Sequence, residues 1–148
     1  MGFSAHQNFS ETTENAVLIH AGLEQSEHCR SVRAFVLSGG YNASNTVQSD
    51  CLMYDTVTKH WTALPPLIYG RYMHAATAFG SVLIVSGGRD AHANYTSRVE
   101  RMDMSSGLGN VKDWKWTEMR ALCAGRYVHA MAVADDRLFV FGGLINGK

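Results

Sequence analysis

The chain has 148 residues, with 13 Lys plus Arg against 13 Asp plus Glu and a formal net charge of zero, so no bulk field draws it to nucleic acid or to an acidic membrane. Hydrophobic residues at 46% and charged residues at 18% place it among packed globular chains and exclude a wholly disordered or collagen-like one. The 14 Gly against 2 Pro, with Tyr and Trp well represented, favour short strands joined by turns and hence an all-β fold.

Residues 1–31 are rich in Ser, Thr, Asn, Gln and Glu, with one apolar stretch at Ala16–Ile19. They suit a tail, a short helix or a degenerate first strand. The first six residues carry neither a basic stretch leading into an apolar core nor the Ser or Thr at position six that myristoylation prefers. Apolar runs such as Val82–Val85 are far too short to span a bilayer. Cys29, Cys51 and Cys123 are odd in number and widely spaced, which fits free thiols in a reducing compartment better than a disulfide framework. A cytoplasmic chain is expected, and the sequons at Asn8, Asn42 and Asn94 then read as chance matches.

From residue 32 onward the sequence repeats itself. Phe35–Gly40 (FVLSGG) returns as Leu83–Gly88 (LIVSGG), 48 positions on, and as Leu138–Gly143 (LFVFGG), a further 55 positions on. Each is an apolar strand ending in Gly-Gly. Met53-Tyr54-Asp55 recurs as Arg101-Met102-Asp103, each followed by a strand with Trp61 or Trp116, and Arg71-Tyr72-Met73-His74-Ala75 recurs as Arg126-Tyr127-Val128-His129-Ala130. The two periods differ by 7 because Asp55 precedes Trp61 by 6 positions and Asp103 precedes Trp116 by 13. The excess lies in Met104–Lys115, which reads as a surface insertion.

The residue types predict four strands per unit. Met73–Phe79 and Val128–Ala134 are rich in alanine, as strands crowded near an axis require. Val82–Ser86 and Leu138–Phe141 are continuous apolar runs, suited to the middle of a sheet. Ser97–Asp103 is more alternating, and Lys59–Leu64 and Lys115–Met119 suit half-exposed outer strands. The glycine pairs suit a sharp turn beside a neighbouring sheet, Asp55 and Asp103 suit Asx-type turn closure, and Trp61 and Trp116 suit filling between sheets.

This order of landmarks, at a spacing near 50 residues, resembles the kelch repeat, one blade of a β-propeller. The resemblance runs from about Val32 to Gly143 and implies an all-β, kelch-type β-propeller segment. It departs from the family at Met102, where Tyr is usual, and at Cys51-Leu52, where Val-Glu stands in the second unit. The division expected is a tail or degenerate element at 1–31, a partial blade at 32–64, a full blade at 71–119 and a partial blade at 126–148. That is three strands, then four, then two: an incomplete ring, with open blade faces suited to self-association.

The seven histidines lack the short paired spacing of a zinc site. His74 and His129 recur with the repeat and read as structural. No nucleophile elbow, phosphate loop or zincin motif occurs, and Gly107-Leu108-Gly109 reads as a loop rather than part of a dinucleotide fingerprint. Neither metal nor cofactor is expected, and binding is the more economical function. The resemblance implies that loops after Gly-Gly and before the Arg-x-x-His strand share one partner-binding face. On this chain they carry Tyr41, Asn42, Ser44 and Asn45, then Arg89, Asp90, His92, Asn94 and Tyr95, with Tyr69, Arg71, Tyr72, Arg126 and Tyr127 beside them. Arg71 and Arg126 could equally brace neighbouring blades. The family further implies a protein partner, as in the substrate-recognition part of a cullin-type ubiquitin ligase adaptor, although residues 1–31 are too few to hold the BTB region that precedes such propellers. An actin-binding kelch protein, or part of a kelch-scaffold oxidase or epimerase, is the alternative.

Overall fold

The computed structural model describes residues 19–21, 34–106 and 108–145. The described residues form antiparallel sheets and contain no α-helix. The first sheet runs β1 (Ile19–Ala21), β2 (Ala34–Ser38), β3 (Cys51–Asp55), β4 (Trp61–Leu64), and the second β5 (Ala75–Phe79), β6 (Val82–Ser86), β7 (Val99–Asp103), β8 (Trp116–Met119), each with neighbours in chain order. Beyond them, β10 (Ala130–Ala134) pairs with β11 (Arg137–Phe141), and the short β9 (Arg126–Tyr127) pairs with β12 (Leu144–Ile145). The innermost strands β1, β5 and β10 stand side by side, so the sheets follow one another around a common axis as propeller blades do.

Two expectations are corrected. The first sheet has four strands rather than three, because Ile19–Ala21 pairs with Ala34–Val36; the rest of residues 1–31 lies outside the described residues. The alanine-rich strands begin two residues later than the sequence suggests. Met73 (φ 54°) and Val128 (φ 53°) take left-handed backbone, and the Val128 amide donates to the Met73 carbonyl at 3.0 Å. A β-branched residue in that region cannot lie within a continuous strand, so β5 and β10 start at Ala75 and Ala130.

The core lies between the first two sheets. Ala34, Val36, Cys51, Met53 and Leu64 meet Leu83, Val85, Met102 and Trp116, each large side chain contributing roughly 1.5–3 kcal/mol through burial. Trp116 bridges the sheets as expected, its indole N–H donating to the Pro65 carbonyl at 2.9 Å. Trp61 is only half-buried and stacks on its own sheet, 4.9 Å from the Tyr54 ring and 5.5 Å from Phe35. The Met104–Lys115 insertion is less superficial than its composition suggests: Met104 and Trp114 at its ends are buried in the core. The Trp114 indole N–H donates to Ser106 Oγ at 2.9 Å across the 3-10 turn Leu108–Asp113. Burial pushes the Cys51 thiol up to about 12, so this cysteine is inert; Cys123 is exposed, and Cys29 lies outside the described residues.

Candidate functional site

At one end of the sheets, the strand endings β2 and β6 run through Gly-Gly into matched loops. The geometry explains the glycines. Gly87 has φ 60°, and a Cβ there would stand 2.4 Å from the Arg126 carbonyl oxygen and 2.6 Å from the His129 ring. Gly88 has φ 94°, with Tyr72 O at 2.7 Å from the corresponding point. No side chain fits either position.

The loops that follow are built identically. Asn42 Oδ1 accepts from the amides of Ser44 (3.1 Å) and Thr46 (2.9 Å), and Asp90 Oδ1 from those of His92 (2.8 Å) and Asn94 (2.9 Å). Asn45 and Ala93, at the same place in each loop, have φ 55° and 60°. Asn42 and Asp90 are thus loop formers. Partial desolvation works against the Asp90 carboxylate, but bonds from Asn94 and His92 outweigh it and hold its pKa below the usual range. Ser44, Asn45, His92 and Asn94 project as exposed loop residues.

Rings and one guanidinium form a row between the loops. Tyr41 and Tyr72 meet edge to face at 5.3 Å, and Tyr95 and Tyr127 lie tilted against each other at 4.7 Å. Between these pairs the Arg89 guanidinium lies 5.7 Å from the Tyr72 ring, 5.6 Å from Tyr95 and 5.3 Å from Tyr127. Its Nε donates to the Ala93 carbonyl at 3.1 Å. The backbones of Tyr72 and Arg89 exchange two hydrogen bonds, at 2.8 and 3.0 Å, so this row is held by main chain as well as by stacking. The Tyr127 hydroxyl, hydrogen-bonded to Tyr95, has its pKa raised. A shallow cavity of about 350 Å³ opens beside the row, bounded by Tyr41, Asn45, Tyr72, Arg89 and Asp90.

Three of the predicted residues do not belong to this surface as drawn. Arg71 is fully buried, paired with the fully buried Glu100, and donates to the carbonyls of Gly87 and Arg98 at 3.0 Å each. Its role is to brace, because a guanidinium with every donor turned inward cannot meet a partner. Arg126 repeats one part of the arrangement, donating to the Gly142 carbonyl at 2.9 Å, but it is only half-buried. Tyr69 lies apart from the row, under the Arg98 guanidinium at 3.9 Å. Glu100, which also accepts from the Ile68 amide at 2.8 Å, escaped the sequence reading because its strand reads as alternating, with Glu100 among the polar positions.

The recurrent histidines act within the scaffold. His74 Nε2 meets Ser38 Oγ at 3.1 Å and His129 Nε2 meets Ser86 Oγ at 2.8 Å, each bond crossing from one sheet to the next. The serine signal was present in sequence, since Ser precedes Gly-Gly in both units whose next unit carries Arg-x-x-His. Burial, with Arg71 nearby, drives the His74 pKa down to about 3, and burial lowers that of His129. Among the described residues no group of three His, Cys, Asp or Glu is placed to hold a metal ion, and no helix is long and apolar enough to cross a membrane.

Comparison with known proteins agrees with this architecture. The family model described as the KLHDC2/KLHL20/DRC7 Kelch-repeats domain matches residues 25–148. The chain is 30% identical over 112 residues to Kelch-like protein 25 of Xenopus laevis, covering 72% of this chain and 18% of that protein. It is 29% identical over 117 residues to putative protein tag-53 of Caenorhabditis elegans, covering 78% of this chain and 9% of that one, and 27% identical over 114 residues to human Kelch-like protein 38. It therefore spans less than a fifth of the length of these relatives. Repeated blades, glycine-pair turns and a family match over most of the sequence lead to one conclusion: the chain belongs to the kelch-repeat family.

Proposed function

We propose that the loop face binds a protein partner through the row Tyr41, Tyr72, Arg89, Tyr95 and Tyr127, with Ser44, Asn45, His92 and Asn94 as its adaptable rim. The observation that carries this reading is the caging of Arg89 by three tyrosine rings. Such a row offers large apolar and cationic contacts at little further loss of side-chain freedom, which is the character of an interface anchor. Family membership supports a binding rather than a catalytic role, and in the whole protein we infer substrate recognition for a cullin-type ubiquitin ligase, in a cytoplasmic setting.

The test starts from a partner recovered by pull-down. Replacing Arg89 and Tyr95 together by Ala is expected to weaken binding by about thirtyfold or more. The control is Val57→Ser, at the opposite end of the first sheet, where Val57 is exposed; it should change nothing. Trp114 is unsuitable as a control because it is buried. Loss on Val57→Ser with retention on the double variant would reject the loop face. Stabilisation of the partner when the protein is removed from cells supports the ligase reading, whereas co-sedimentation with actin filaments would replace it.

A further inference from the structure

The residues around the cavity beside the tyrosine row all lie in loops of, or between, the two four-stranded sheets, and their chemistry restricts what it takes. Tyr41 and Tyr72 contribute rings, and Val47, Ala91 and Ala93 contribute short apolar side chains. The charged side chains among them are one guanidinium and one carboxylate, Arg89 and Asp90. The carboxylate is spent on its own loop, each oxygen accepting from His92 or Asn94. The wall is neutral in sum, so neither a strongly acidic nor a strongly basic segment complements it. Arg89 Nε is held by the Ala93 carbonyl, and no hydrogen bond among the described residues engages its terminal nitrogens. They are donors set between rings. Tyr72 and Tyr95 lie 5.7 and 5.6 Å from that guanidinium, so the two rings are at most about 11 Å apart. One turn of polyproline II, three residues long, advances about 9 Å.

We propose that the segment this row receives is proline-rich and bound as polyproline II. One proline sits in the cavity against Tyr41 and Tyr72, another, one turn on, sits against Tyr95, and a carbonyl between them accepts from Arg89. The chemistry is matched at each point. Proline C–H groups beside the amide nitrogen are electron-poor and pack on the electron-rich faces of tyrosine rings. A polyproline II segment makes no internal hydrogen bonds, so its carbonyls are open to a guanidinium donor. Its conformation exists before binding, so a shallow surface can hold it at little cost in chain entropy. This names the partner chemistry of the loop face and rests on the reading of that face as the binding surface.

The probe is capped nonaproline, titrated into the 148-residue chain and followed by saturation-transfer NMR. Saturable binding is expected, with the strongest transfer at the proline ring protons. A capped Gly-Ser repeat of equal length offers similar carbonyls without rings or a preformed helix, and it should bind at least about tenfold more weakly; a capped oligoglutamate should do no better. Tyr72→Phe should keep the affinity for nonaproline, whereas Tyr72→Ala and, separately, Tyr95→Ala should each lose most of it. Tyr69→Ala, outside the row, should lose none. Absence of nonaproline binding, equal binding of the Gly-Ser repeat, preference for oligoglutamate, or indifference to both alanine variants would each overturn the proposal. The loop face itself is judged separately, by whether the Arg89 and Tyr95 double variant still loses the partner recovered by pull-down.

Discussion

The second sheet and a third, the β10–β11 pair, carry the same landmarks in different surroundings, and the contrast separates what a blade does for itself from what its neighbour supplies. Arg71 has a buried carboxylate and Arg126 has none among the described residues. Gly87 is pressed against the next sheet, whereas nothing lies within 4 Å of the point where a Gly142 Cβ would stand. Ile84 and Ser86 are buried, while their counterparts Phe139 and Phe141 are 40% and 55% exposed. Sequence identity at a landmark therefore fixes its conformation, and the adjacent sheet fixes its energetic weight.

The largest test of this contrast is to remove each arginine. Arg71→Met strands Glu100 in the core and is expected to cost about 3–5 kcal/mol, whereas Arg126→Met strands no carboxylate among the described residues and should cost less than about 1 kcal/mol. Urea denaturation of both variants measures it, and similar midpoints would erase the distinction between the two sheets. Next comes the glycine comparison. Gly87 and Gly142 share positive φ, 60° and 63°, so a Val at either bears the same backbone strain. Only at Gly87 does it also strike the next sheet, and Gly87→Val should be the more destabilising by about 2 kcal/mol. Equal losses would show that conformation alone explains the glycine pairs.

The smallest effect is in pH. The His74 pKa falls from an ordinary 6.5 to about 3 in the folded state, so between these values the unfolded chain binds a proton that the folded chain refuses. Stability is present above pH 6.5 and declines as pH falls, by about 2 kcal/mol at pH 5 relative to pH 7 from this group alone. His129, only half-buried, shifts in the same direction. His74→Asn should flatten the profile between pH 5 and 7 more than His129→Asn does; the reverse order would place the weight on the more exposed histidine.

Strand order was legible because apolar runs, glycine pairs and tryptophans recur as a set. β6 was bounded correctly from its unbroken Val-Leu-Ile-Val run. The start of β5 was not, because nothing in the composition of Met73 announces a left-handed backbone; that conformation comes from the crossing of Tyr72 and Arg89. The site was legible in part. Tyr41, Tyr72, Arg89, Tyr95 and Tyr127 could be grouped through the resemblance to the kelch repeat, but the inward turn of Arg71 could not be read, since it depends on Glu100 reaching it from 29 positions away. The Met104–Lys115 insertion misled for a related reason. A glycine-rich loop predicts solvent, yet its closing tryptophan returns to the core.

The post-glycine loops are not finished by their own sheets. The Gly40 amide donates to the Arg71 carbonyl and the Gly88 amide to the Arg126 carbonyl, each at 2.8 Å. A loop whose backbone is completed by the following sheet keeps its shape only while that sheet is ordered, so recognition at one blade is thermodynamically linked to folding of the next. A ligand held by Arg89 and Tyr95 would draw the third sheet toward order, and any influence that frays the third sheet would be felt as lost affinity in the second. The face thus reports on the integrity of the repeat array as well as on its partner.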